Sequence, residues 1–479
     1  MGLPAPIGMY VRQDIDQLNS AGAWDPYTLA YANAVRAMQE VSANDPRDPR
    51  GWTFQAYMRG FPPAVASPDP LWGSAPHGSR YCLPWHRMLV YMFERIARSF
   101  VVANGGPLDW ALPFWNWTRN PSLPLAFRQE TLPDGAENPL YVADHRNPNP
   151  FPGMNGGAPL PPDVVETDYI MSFKTFEDWD GPPPPPEDQI HDLIGGPSDL
   201  DGCGRGWMSD PRCAALDPVF WVHHANVDRL WVVWMAQGGR NPADPEWTAR
   251  EFSFYDSDGR EYTGACGDVM TTLALGYTYA YPSIAAQSPE VLGLAPSHRT
   301  RRRSAPPAPG EEPARSGTEL GASDEPLALG ARPSSAEVPL GGGAEGALRT
   351  LTEARSMRRS VYLTVEDVSL EAHPGVVYAV YLNKPEGVRG TDAQTYRAGI
   401  LSFFGLVHTN GDGPPTSAFD VTSVVAFLRS RGEWDPGRAR VAFEPLGLQT
   451  EGGSGYETVP DYLPDETGVR VGRVCLRAR

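Results

Sequence analysis

A chain of 479 residues, 41% hydrophobic and 20% charged, has room for two or three domains and the make-up of an ordinary folded protein rather than a stapled mini-protein. Its 40 Lys and Arg against 58 Asp and Glu leave a net charge of −18, a sign that repels phosphate backbones and anionic lipid and speaks against nucleic acid or a membrane surface as partner. The 49 Gly and 51 Pro, about a fifth of all residues, predict long loops and at least one unstructured stretch.

In chain order, residues 11–40 carry apolar side chains three and four apart, as amphipathic helices do, and so do Trp85 to Phe100 and Pro218 to Met235. Residues 120–186 are dense in Pro, Gly and Asn and read as loop. The expected first domain, residues 1–285, is mainly α with long connections. Residues 286–357 shift to Ala, Pro, Gly, Ser and Glu and include the basic run Arg299 to Arg303, which reads as a linker. After it, Val361-Tyr-Leu-Thr-Val-Glu366, Val376-Val-Tyr-Ala-Val-Tyr-Leu382 and Arg440-Val-Ala-Phe-Glu444 are β-branched or alternating, so residues 358–479 are expected to form an all-β, sandwich-like domain. The start of the chain has neither a basic nor an apolar run, and no later stretch approaches the roughly 18 apolar residues of a membrane span. Five Cys, few and odd in number, fit a reducing, cytoplasmic setting, with room for one bridge such as Cys203 to Cys213.

Chemistry concentrates in the histidines. Of nine, five fall in three short segments of the first domain: His77, then His86 in Leu83-Pro-Trp-His-Arg-Met-Leu-Val-Tyr-Met-Phe-Glu94; His191 in His191-Asp-Leu-Ile-Gly-Gly196; and His223-His224 in Leu216-Asp-Pro-Val-Phe-Trp-Val-His-His-Ala-Asn-Val-Asp-Arg-Leu-Trp231. Imidazoles brought together from a loop and helices can meet at one ion. Asp228, one helical turn after His224, is placed to orient an imidazole or to pair with an Arg.

In these segments, and in Leu112-Pro-Phe-Trp-Asn-Trp117, the chain resembles the tyrosinase and polyphenol oxidase family over most of residues 10–235, in family order and spacing. Tyr378-Ala-Val-Tyr-Leu-Asn-Lys-Pro385 and Ala398-Gly-Ile-Leu-Ser-Phe-Phe-Gly405 look like the β-rich C-terminal domain of some members. The resemblance implies a four-helix bundle around two coppers, an aromatic small-molecule substrate of the phenol or catechol kind, and oxidation by dioxygen. It assigns His77 and His86 to the first copper and His191 and His224 to the second, with His224 preferred to His223 for its spacing to Asp228.

Two of the six ligands of that pattern have no histidine here. Gly51-Trp-Thr-Phe-Gln-Ala-Tyr-Met-Arg-Gly60 puts Arg59 at the first, and Pro186-Glu-Asp-Gln-Ile-His191 puts Glu187 at the fourth, with Asp188 in place of an Asn that helps position a base. A guanidinium offers no lone pair and carries a fixed charge, so Arg59 cannot bind a metal. Arg59 and Glu187 are expected to face each other as an ion pair. The catalytic candidates are Arg59, Glu187, His86 and His191. Three cofactor states stay open: copper; a single iron or zinc on Glu187, His191 and His224; or no metal, with binding or acid/base work on an aromatic small molecule. His223 reads as packing, Cys82 as packing, and His145, His298, His373 and His408 as surface residues.

Overall fold

The computed structural model describes residues 8–280 and 317–478, apart from 177–185, 199–202, 354–359, 407–415, 450–462 and a few single positions. His298, His408 and the basic run at Arg299 lie outside the described residues.

The first domain is helical, as the periodicity predicts. Helix α1 (Pro26–Asn44) begins where the Asp25 carboxylate accepts the Tyr27 amide at 2.9 Å, with Pro26 preset for the first turn. Then come α2 (Trp52–Arg59), α3 (Cys82–Ala103), α4 (Glu187–Gly195) and α5 (Val219–Ala236). Helix α5 is buried along nearly its whole length, which its run of Val, Phe, Trp and Leu on all sides requires. A short parallel pair, β1 (Tyr10–Arg12) and β2 (Tyr277–Tyr279), brings the two ends of the domain together.

A buried polar network fixes α3 against α5. Asp228 on α5 accepts Arg87 Nε of α3 at 2.5 Å, Arg12 Nη1 at 3.2 Å and the Tyr277 hydroxyl at 2.6 Å, while Arg12 Nε reaches Glu94 at 2.7 Å. Asp228 therefore serves arginines rather than an imidazole. Buried networks of this kind favour one packing register, here the one that brings His86 to His224, although Arg12 Nη2 and Arg87 Nη2 stay unpartnered.

The second domain is a sandwich of two four-stranded sheets. One runs β7 (Arg397–Leu401), β6 (Val377–Leu382), β9 (Arg438–Leu446), β4 (Ser334–Pro339); the other runs β8 (Ser417–Asp420), β5 (Val361–Glu366), β10 (Arg473–Ala478), β3 (Thr318–Ala322). Leu320, Val338, Leu363 and Val380 are buried between them. Two of these strands, β3 and β4, come from the stretch expected as linker, so the boundary at 358 is corrected to about 317 at the latest. No local pattern marks them, because they are short and rich in Ser, Ala and Gly, and they gain their place by pairing with β10 and β9, about a hundred residues or more further on.

The two domains are joined by more than sequence. Pro197–Ser198 pairs antiparallel with His373–Pro374, and Asp192 of α4 accepts His373 Nε2 at 2.7 Å, the Ser402 hydroxyl at 2.6 Å and the Phe403 amide at 2.8 Å. His373, expected at the surface, is buried in this joint. Cys203 and Cys213 form a disulfide, the one bridge for which the cysteine count left room. Among the described residues no helix is long and apolar enough to cross a membrane.

Candidate active site

Helices α2, α3, α4 and α5 bring Arg59, His86, Glu187, His191, His223 and His224 into one buried cluster. Two close backbone approaches set it. A Cβ on Gly60 would lie 2.5 Å from the Pro211 carbonyl, so only glycine lets the end of α2 meet that chain, and Arg59 Nη1 donates to the same carbonyl at 2.6 Å. A Cβ on Gly195 would lie 2.1 Å from the Ser209 amide, and this contact keeps α4 against the segment whose Met208 carbonyl accepts His191 Nδ1 at 3.0 Å.

That bond leaves the His191 Nε2 lone pair facing inward, 3.2 Å from His224 Nε2. In the same way His86 Nδ1 donates to the Cys82 carbonyl at 3.0 Å, and its Nε2 is buried without a partner. The His86 and His224 rings stack in parallel with centroids 4.3 Å apart, and Phe220 packs 4.2 Å from His224. His77 stands at the exposed rim, its Nε2 3.3 Å from the Arg59 carbonyl.

His223 is the residue that sequence reading undervalued. Its ring meets His191 edge-on at 5.0 Å, neither nitrogen has a hydrogen-bond partner, and His191, His223 and His224 place ring nitrogens within 4.8 Å of one another. Cys82, His86 and Glu187 form a second such group. The signal available in the sequence was the doubled histidine itself, in a helix with no polar face for either ring to reach.

The expected ion pair is not there. Glu187 Oε1 lies 3.6 Å from His224 Nε2 and makes no salt bridge to Arg59, whose Nε and Nη2 are buried and unpartnered. The reason is the pull of the Pro211 carbonyl on one side and the first turn of α4 on the other. The cation still acts at a distance. Burial holds His86 and His223 down at about 3, and Arg59 adds to both shifts; His191 and His224 are also held far below the usual value, mainly by burial. Burial raises Glu187 to about 7 against the opposing pull of Arg59, and Arg59 itself falls to about 10, still charged at neutral pH.

Each of these four imidazoles is neutral in the folded chain and takes up a proton on unfolding below its ordinary 6.5. Their contribution to stability is therefore full above 6.5 and lost as pH falls toward 3. Glu187 and its neighbour Asp188, both raised by burial, work oppositely and lose stability as pH rises above their ordinary values, but they are two groups against four. For chelator-treated protein the denaturant midpoint is expected to be lower at pH 5 than at pH 7, and His223→Gln to narrow the gap. An unchanged gap in that variant means His223 is hydrated and free to titrate in the folded chain.

The second domain closes the site. Phe404, one residue beyond the Phe403 amide held by Asp192, stacks on His191 with centroids 4.1 Å apart, and the Arg59 guanidinium lies 4.7 Å from the centre of the same ring. His145 is half-buried against Trp207 and stands apart from the cluster.

Residues 49–169 and 163–237 match the family of the common central domain of tyrosinase, 241–287 the polyphenol oxidase middle domain, and 317–479 a domain of unknown function. A tyrosinase of Hahella sp. is 28% identical over 98% of this chain and 99% of its own length. Polyphenol oxidase II of Ipomoea batatas is 26% identical over 58% of this chain, which spans 51% of that protein. Among solved structures, latent apple tyrosinase superposes with a TM-score of 0.58 at 20% identity over 100% of this chain and 99% of its own. A latent aurone synthase gives 0.60 at 18% identity over 100% and 91%. Both share the arrangement of a helical domain followed by a β-rich one.

Proposed function

This chain belongs to the tyrosinase and polyphenol oxidase family, and from that premise we propose that it is an oxidoreductase of phenolic or catecholic small molecules whose paired-copper site is altered to hold one metal ion. One observation carries the reading. Three buried imidazoles, His191, His223 and His224, converge on one side of the pocket, while the other side holds the Arg59 cation.

The first side suits an ion. Two metal–nitrogen bonds of about 2.0–2.1 Å meeting at roughly 100° span the 3.2 Å between His191 Nε2 and His224 Nε2, and His191 carries the backbone hydrogen bond that fixes a ligand's tautomer. Glu187 stands next to it as a carboxylate donor, the set that would favour iron or zinc over copper. The second side suits one less well: Cys82, His86 and Glu187 bring donor atoms within 4.8 Å of one another, but His86 offers a single free nitrogen, His77 turns its Nε2 to a carbonyl, and Arg59 supplies a charge of the wrong sign.

An iron or copper ion held there would supply Lewis acidity and an electron path to dioxygen, whereas zinc would supply Lewis acidity alone. The chain's own residues prepare the substrate. Where no ion is bound, Glu187, raised by burial to about 7, is a base able to take the proton of an aromatic hydroxyl. Phe220 and Phe404 wall the pocket and exclude water. Two structural relatives are described as latent, and Phe404 over His191 supports the same state here, with substrate kept out until the second domain yields. A metal-free pocket doing non-redox acid/base chemistry is the second reading, favoured by the buried cation.

Elemental analysis of the protein as isolated and after copper reconstitution, beside oxygen uptake on catechol, separates these. About one ion per chain is expected from the donor set. Two coppers with rapid uptake would restore the paired site, and no metal after reconstitution would select the metal-free pocket.

A further inference from the structure

We propose that Arg59 is the anchor for a carboxylate, so that the ligands of this pocket are aromatic carboxylic acids rather than neutral phenols. The inference rests on the reading above that the pocket takes an aromatic small molecule, and it is independent of whether a metal is bound.

A guanidinium presents two different edges. The edge formed by Nε and Nη2 matches the two oxygens of a carboxylate in parallel hydrogen bonds, and elsewhere in this chain Arg50 uses that edge, Nε at 3.0 Å and Nη2 at 2.6 Å, on Asp48. In Arg59 the Pro211 carbonyl takes Nη1 alone and leaves the Nε and Nη2 edge whole. Both nitrogens are shut off from solvent, and the side chain is only 1% exposed. Two unpaired donors on a buried cation are costly to keep, and a ligand that pairs with both recovers that cost. Among the described residues no acid does so: Glu187, the one expected partner, lies with Oε1 3.6 Å from His224 and makes no salt bridge to Arg59.

Phe404 shows where the rest of such a ligand goes. Its ring lies on His191 and under the guanidinium, so an arene that displaces it keeps the stacking surface and brings a carboxylate on the ring within reach of Arg59. Phe404 is half-buried, at the edge of the joint between domains, which gives an incoming ligand a side from which to replace it.

The test is binding of benzoate and of its neutral counterpart benzyl alcohol, by calorimetry on the full chain at pH 7.5 after chelator treatment. The Phe404→Ala variant, with the ring removed, is expected to bind benzoate about tenfold or more tighter than the unaltered chain. Adding Arg59→Gln to it is expected to weaken benzoate by about ten- to a hundredfold and leave benzyl alcohol unchanged, since only a charge-assisted pair is lost. Benzyl alcohol thus reports that the pocket is still folded. Should the glutamine variant not fold, Arg59→Lys keeps the charge and loses the two-donor edge, and benzoate weakened beside unchanged benzyl alcohol is again the expected result. Benzoate and benzyl alcohol bound alike, and alike in the Arg59 variants, would overturn the carboxylate anchor while leaving the aromatic pocket standing. Neither compound bound by Phe404→Ala would overturn both.

Discussion

Replacing Arg59 and Glu187 together by histidine is expected to raise the copper held by the reconstituted chain from about one ion to about two, and to bring oxygen uptake on catechol with it. The single change Arg59→His removes the cation that depresses His86 and His223 and supplies a lone pair at the end of α2, next to the free Nε2 of His86. Glu187→His adds an imidazole at the first turn of α4, 3.6 Å from His224 in the present side chain's place. Neither change asks the backbone to move, because Gly60 and Gly195 already fix both helices by their close contacts. The outcome is read by elemental analysis and an oxygen electrode. An unaltered chain that already binds two coppers, or a double variant that stays at one, rules out these two residues as the reason for a changed site.

Asp192→Ala is expected to cost about 3–5 kcal/mol, a third or more of a typical domain's stability. The carboxylate is fully buried and accepts three bonds, from His373, Ser402 and the Phe403 amide, all from the second domain. Its loss leaves three buried donors without an acceptor and frees the segment that carries Phe404 onto His191. Urea unfolding gives the stability change, and amide exchange at Phe403 and Phe404 reports the joint. A loss below about 1 kcal/mol, the range of exposed pairs, with exchange unchanged would mean that other interdomain contacts hold Phe404 in place.

How much was legible depended on whether a feature is local. The helices carrying His86 and His223-His224 announce themselves by apolar spacing, and strands at 361–366 and 377–382 by β-branched runs, because a single element's period is written in adjacent residues. Asp228 as an arginine partner was one of two readings the helix allowed, and Arg12, the farther of its two arginines, sits 216 residues away.

The sequence by itself determined the helical first domain and the β-rich second one through residue type and spacing, while the meeting of His86, His191 and His224 with Arg59 and Glu187 beside them followed from the family resemblance that their motifs carry. Only the tertiary structure decided that Arg59 and Glu187 stand apart, that His223 joins the cluster, that β3 and β4 belong to the sandwich, and that Phe404 covers His191 while Asp192 binds His373. Those outcomes hang on how distant segments pack, where a carbonyl at Pro211 or a partner strand at the far end of the chain outweighs anything the neighbouring residues prefer.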